Sequence, residues 1–337
     1  MHRLLLTSAV TLLSLGHAAA ADSKPEQLVI VSFDGAHENA LWVKSHDLGE
    51  RTGARFTYFL SCTFLMKWGS PEAAAYKPPH HRAGSSATGF AKTDDEIRTR
   101  LKHIWNAHLE GHEIASHACG HFDGADWTER DWAQEFASFT HTLSTAWKTA
   151  GIPDKKPLGW DNFVAHGITG FRAPYLSHGD SLPNAVRKAG FRYDASLITK
   201  GPALPVDEHG LTRFGLPLIP EGPNRKPVIA MDYNLYARHS RAKENTDRSA
   251  EFEARSLAAY RAAFEREYQG ARHPLQLGFH FVEMNGGAYW RALDTFLTET
   301  CRKPGVACVS YSEALNRLRA RQAIEKAEGG PASPSRL

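Results

Sequence analysis

Gly111-His112-Glu113-Ile114-Ala115-Ser116-His117-Ala118-Cys119-Gly120-His121 is the stretch on which the reading of this chain turns. Residues 113–116 are a short run suited to a buried strand, and the two histidines that follow it stand four apart with Cys119 between them. A helical turn opening at His117 sets positions i and i+4 on one face, where two imidazoles reach a single divalent ion. Chance supplies such pairs in a chain with 18 histidines, so the neighbouring sequence must decide.

Outward from this stretch, short apolar runs alternate with helical patterns. Buried strands are expected at 28–33, 56–60, 113–116, 168–171, 228–231, 275–279 and 306–309. Helices are expected at 94–110, 129–150, 181–189, 247–268 and 287–302. A strand-then-helix repeat points to a parallel sheet, and its length suits an α/β fold in which a single domain forms a distorted (β/α) barrel. Two stretches break the pattern. Residues 67–93, rich in Pro, Gly, Ser and His, read as a long surface loop beside a cleft, and 201–227, rich in Pro and Gly, reads as irregular.

The start of the chain reads as a secretory signal peptide over 1–21. Arg3 precedes an apolar run from Leu4 to Leu15, and Ala18-Ala19-Ala20-Ala21 is a small-residue exit before Asp22. That run is too short to span a bilayer, which takes about twenty apolar residues, and no later run approaches that length, so no membrane span is expected. A catalytic domain is expected over 27–320 and a disordered polar tail over 321–337. The net charge of +3 is spread over interspersed acids and bases, so no nucleic-acid partner is implied. Four cysteines in an exported chain suit two disulfides: Cys301 and Cys308 flank a Pro-Gly turn, which leaves Cys62 to pair with Cys119. Cys119 as a zinc thiolate is the competing reading. It is disfavoured because position i+2 of a helical turn points away from the face shared by i and i+4.

In a parallel barrel the functional side chains gather at the carboxyl ends of the strands. Asp34 follows the first strand, His117 and His121 the third, Arg172 follows Gly170-Phe171, and His280 follows Leu277-Gly278-Phe279. A carboxylate, a metal-ligand pair, a fixed cation and a further imidazole suffice to hydrolyse an acyl bond. Each has a plainer reading: Arg172 as a structural ion pair, His280 as a core histidine, Asp232 as a turn or cap residue. Trp42, Trp68, Trp127, Trp132 and Trp290 suit either packing or stacking on sugar rings.

SFDG at 32–35, SHACGH at 116–121, FRAPY at 171–175 and LGFH at 277–280 stand in the order and context of one family. Over about 28–318 the sequence resembles the polysaccharide deacetylases, the NodB-homology or carbohydrate esterase family four proteins. The resemblance implies one divalent ion, zinc being expected, held by His117 and His121 together with a carboxylate. It also implies Arg172 as the holder of the base, the Tyr175 backbone N–H as an oxyanion donor, His280 as the general acid, and Asp232 as its loosely matched partner. The first motif departs, because the usual paired aspartates are reduced to Asp34 and Gly35. Asp34 is then the base, a metal ligand or both, and Glu38 stands as a substitute carboxylate.

The activity so implied is an exported, metal-dependent deacetylase, a hydrolase of carbon–nitrogen bonds. Its expected partner is an acetylated glycan of the chitin or peptidoglycan type, met outside the cell or in the periplasm. The alternatives are an O-acetyl esterase on a xylan-like glycan and a catalytically silent carbohydrate-binding protein. A metal-independent amidohydrolase of a small cyclic amide is a further one, against which the histidine pair speaks.

Overall fold

A computed structural model describes residues 24–177 and 179–327. The expected signal peptide at 1–21 and the end of the expected tail, 328–337, lie outside the described residues. Ten strands form one sheet: β1 Gln27–Gly35, β2 Thr57–Leu60, β3 Glu113–Ser116, β4 Gly170–Phe171, β5 Tyr193–Thr199, β6 Val206–Glu208, β7 Leu211–Glu221, β8 Lys226–Ile229, β9 Leu275–His280 and β10 Val306–Val309.

β1 organises the rest. Its residues 29–34 pair in parallel with all of β9, which occupies one edge. The other edge is shared end to end, residues 27–30 pairing with β10 and residues 32–35 with β2. From β2 the parallel order runs through β3, β4, β5 and β7. The ring closes where the chain beyond β8 meets β9, by the Met231/Gly278 bridge and the Gly278 N–H donating to the Ala230 carbonyl at 2.9 Å.

Successive residues of a strand face opposite ways, and β1 separates them cleanly. Val29, Val31 and Phe33 pack into the core between the sheet and the outer helices, whereas Leu28 and Ile30 join Phe59, Ala115, Tyr193, Ala195, Phe214 and Tyr311 inside the ring. Burial on both faces explains why β1 reads as a nearly unbroken apolar run. Inside the ring space is tight: a Cβ on Gly170 would stand 2.0 Å from the Tyr193 ring, so glycine is required there.

The outer layer holds the expected helices, as Asp94–Leu109, Glu129–Thr149, Leu182–Lys188, Ser249–Gln269 and Ala288–Thr300. It also holds Asn39–Thr52, Asp232–Ser240 and Tyr311–Ala327, which were not expected. Two expectations are corrected. The stretch 201–227 is not irregular, since it carries β6, all of the eleven-residue β7 and the start of β8. Gly215, Pro217 and Pro220 lie within β7 and hide its alternation. The tail does not lose structure at 321, because helix Tyr311–Ala327 anchors Tyr311, Ala314, Leu315 and Leu318 in the ring core and continues to 327.

Candidate active site

The ring-facing parity of β1 continues from Leu28 and Ile30 to Ser32 and Asp34. The same parity runs from Ala115 of β3 to His117, from Gly170 of β4 to Arg172, and from Gln276 and Gly278 of β9 to His280. Four strands therefore deliver four functional side chains to one mouth of the ring. Asp34, His117, His121, Tyr175 and His280 all line a cleft of about 620 Å³ there. A groove of about 820 Å³ beside the 67–93 loop is larger but holds none of these groups.

Arg172 is fully buried and four of its N–H donors are engaged. Nε donates to the Ala195 carbonyl at 3.0 Å, one terminal nitrogen to Ser32 Oγ at 2.7 Å and Asp34 Oδ1 at 2.8 Å, and the other to the Tyr311 hydroxyl at 2.8 Å. Tyr311 in turn donates to Gln276 Oε1 at 3.0 Å. Burial alone would raise the Asp34 carboxyl, but Arg172 first, then His117 and His280, outweigh it and hold it below the usual carboxylate range.

His117 donates from Nδ1 to the Arg172 carbonyl at 2.8 Å, which fixes the tautomer and leaves the Nε2 lone pair free. Its ring lies 5.0 Å from that of His121, centroid to centroid, and His121 Nδ1 is buried without a hydrogen-bond partner among the described residues. Burial keeps both imidazoles neutral, the His121 ring being pushed down to about 3. Two neutral rings with an orphaned buried nitrogen are the donor set that a divalent ion requires. The pair does not converge by a helical turn, because 117–122 is a loop in which Ala118 and His121 adopt left-handed φ of 57° and 56°. The Cys62–Cys119 and Cys301–Cys308 disulfides are both present. Cys119 is therefore unavailable as a zinc thiolate, through its bond to Cys62 rather than through helical geometry.

On β9, in register with Asp34 of β1, His280 Nδ1 donates to Asp232 Oδ1 at 2.6 Å, and Asp232 Oδ2 accepts the His280 backbone N–H at 2.8 Å. Burial depresses this imidazole, but the Asp232 carboxylate more than compensates, so its pKa lies above the ordinary value. Tyr175 sits at φ 59°, and its N–H has no acceptor among the described residues. Its approach is fixed at Ala173, whose N–H donates to Ser196 Oγ at 2.8 Å, Ser196 itself being bound to Asp194. Glu38 is exposed at the start of helix Asn39–Thr52 and is absent from the cleft wall, so the substitute-carboxylate expectation is not met. Gly35 has φ 83°, a conformation that suits glycine, so the lost second carboxylate is tied to a backbone turn.

Sequence reasoning missed Ser32, Gln276 and Tyr311 behind Arg172, and Glu135, whose Oε2 accepts the N–H groups of Cys119 at 3.0 Å and Gly120 at 3.1 Å. The ring-facing parity of 32 and 276 was the available signal. Among the described residues one trio of ligand-type atoms lies within 4.8 Å of one another, on His46, Glu110 and His112. His112 Nδ1 accepts the Phe56 N–H at 2.9 Å, so its proton sits on Nε2, 3.7 Å from Glu110. That nitrogen is a donor with no lone pair to offer, and the trio is a hydrogen-bonded cluster rather than a metal centre.

No protein-family model matches the chain, and no curated protein is significantly similar to it. Solved structures do match. A candidate polysaccharide deacetylase from Mycobacterium smegmatis aligns over 94% of this chain and 96% of its own, with 16% identity and a TM-score of 0.53. A second, from Pseudomonas aeruginosa PAO1, aligns over 88% and 92% with 13% identity and a TM-score of 0.51. The fold is that of the NodB-type polysaccharide deacetylases. Puue allantoinase has a similar structure, at 14% identity over 88% of this chain and 91% of its own, with a TM-score of 0.51. At such identities the likeness establishes the NodB-type barrel and leaves the chemistry to the residues in the cleft.

Proposed function

We propose that this chain is an exported deacetylase that removes acetyl groups from an N-acetylated amino-sugar polymer or oligomer, with one divalent ion, zinc, held by His117 and His121. One observation carries the reading: Asp34 with Arg172 behind it, the two neutral imidazoles, and His280 with Asp232 behind it converge on a single cleft. The ion, when bound, polarises the acyl carbonyl and lowers the pKa of a coordinated water. Asp34, kept ionised and aimed by Arg172, takes the proton of the attacking water. The Tyr175 N–H donates to the oxygen on which charge develops. His280, kept protonated by Asp232, delivers its proton to the departing nitrogen, a step that matters more for an amide than for an ester because a free amide anion is a poor leaving group. Arg172 holds Oδ1 of Asp34; assigning Oδ2 to the proton of the attacking water makes Asp34 the base and leaves the ion two protein ligands, whereas Oδ2 on the ion would make Asp34 its third.

The test is acetate release from N-acetylglucosamine oligomers by zinc-loaded protein, with metal content measured alongside and both repeated for Asp34→Asn. Loss of activity by 10²-fold or more, on the order expected for a general base, with zinc retained supports the assignment. Loss of zinc together with activity would make Asp34 a ligand. Gly35 in place of a carboxylate favours one second reading, a catalytically silent carbohydrate-binding protein. Wild-type protein that binds the oligomers and releases no acetate would establish it, and release from acetylated xylan alone would point to the esterase.

A further inference from the structure

Trp42, Trp132, Trp160 and Trp290 are almost wholly buried, Trp127 and Trp147 nearly so, and Trp68 alone among the eight tryptophans is exposed, at 70%. An exposed indole on a loose loop would signify little. This one is held firmly. The Trp68 N–H donates to the Ala91 carbonyl at 2.8 Å, the Ala91 N–H returns to Met66 at 3.0 Å, and Lys67 is clamped to Asp94 at 2.7 Å. The partly buried Phe90 lies 5.9 Å from the indole, tilted by 57°, and props it outward.

The same segment reaches the cleft. Ala87 donates to the Gly120 carbonyl at 2.8 Å, beside His121, and Thr88 lines the cleft wall. Phe90 is two residues further on, so its Cα lies within about 7 Å of that of Thr88, the reach of two extended residues. The indole thus stands outside the cleft, on the segment that supplies part of its wall and within the span of an oligosaccharide bound there. A flat, preorganised aromatic face costs little conformational entropy on binding and matches the apolar C–H face of a pyranose ring.

We propose that Trp68, supported by Phe90, is an outer binding platform for a sugar of a polymeric substrate whose acetylated unit occupies the cleft. This rests on the glycan reading above, and it makes the protein prefer long chains over short ones. The probes are the dimer and hexamer of N-acetylglucosamine. Trp68→Ala is expected to lower the hexamer-to-dimer ratio of kcat/KM by about three- to tenfold, the scale of one lost aromatic contact, and Trp68→Tyr to restore most of it. An unaltered ratio overturns the platform and leaves the proposed function standing. If the wild type hydrolyses neither oligomer, calorimetric binding of the hexamer decides. A Trp68-dependent Kd keeps the platform while the deacetylase reading fails, and an unchanged Kd or no binding removes both. Oligomerisation that Trp68→Ala abolishes, read by sedimentation, would assign the indole to a second copy of this chain and overturn the proposal.

Discussion

Arg172, buried behind Asp34, and His280, on the cleft wall, each hold a proton beside the same cleft, and their neighbours decide how firmly. Arg172 lies against the Phe59 ring, 4.4 Å from its centroid, and its charge is balanced by the nearly buried Asp34. Removing either partner would leave the other buried and uncompensated, the costly way to break such a pair. His280 is more accessible and depends on Asp232. Its folded pKa is raised, so the pair stabilises the protein fully below the ordinary imidazole value and that stabilisation is lost as pH climbs through the raised one. Asp34 runs oppositely: its pKa is depressed, so its contribution is present above the ordinary carboxyl value and is lost as pH falls through the depressed one. The proposed mechanism requires Asp34 ionised as base and His280 protonated as acid. The kcat/KM profile is therefore expected to be bell-shaped, with an acid limb below the usual carboxylate range and an alkaline limb above 6.5, the ordinary imidazole value. In Asp232→Asn burial and Arg172 are opposed only by the weaker influence of Asp34, and the alkaline limb should move to lower pH. A limb that stays in place would remove His280 from the acid role.

The loop after β3 shows how an element positions such groups and how far a sequence reveals it. The convergence of His117 and His121 was legible as an i, i+4 pair, yet its means, two left-handed residues and a buried strap, was not. That strap is Glu135 on helix Glu129–Thr149: one oxygen receives the Cys119 and Gly120 N–H groups, and the other the Tyr76 hydroxyl at 2.7 Å. Nothing at position 135 distinguishes this glutamate from a solvated one, because its partners lie 15 and 16 residues upstream in a loop whose path only the fold defines. Glu135→Ala leaves three buried donors unpaired and should cost about 3 kcal/mol or more, at about 1–3 kcal/mol for each unsatisfied group. It should also weaken binding of the proposed zinc ion, since the loop between His117 and His121 loses its anchor. Glu135→Gln keeps an acceptor for the two amides and should lie close to wild type. Urea denaturation and competition with a chromophoric chelator check both, and equal zinc affinity in Glu135→Ala would make the strap purely structural.

At the scale of the molecule, the barrel was legible because its strands bury both faces, as in the unbroken apolar run of β1 and the repeated strand-then-helix pattern. The turn from β5 into β7 was not, because Gly215, Pro217 and Pro220 break the alternation by which a strand is recognised, while ring closure at Met231 and Gly278 supplies the missing edge from outside. Ser32, Gln276 and Tyr311 stayed hidden for a related reason. Each looks like an ordinary polar residue until closure turns it toward Arg172. Closure also makes the two imidazoles a property of the folded state alone, for the unfolded chain has no reason to bring their orphaned nitrogens together. An ion bound there adds stability by mass action, about 2.7 kcal/mol at a free concentration one hundred times its Kd. For a domain of this size that is a rise in Tm of roughly 5 °C. Scanning calorimetry with and without zinc should show the rise, a chelator should reverse it, and His121→Ala should abolish it. With Asp34 as the base, Asp34→Asn should keep it; loss of the rise in that variant would place Asp34 on the metal and return the base to an unassigned group.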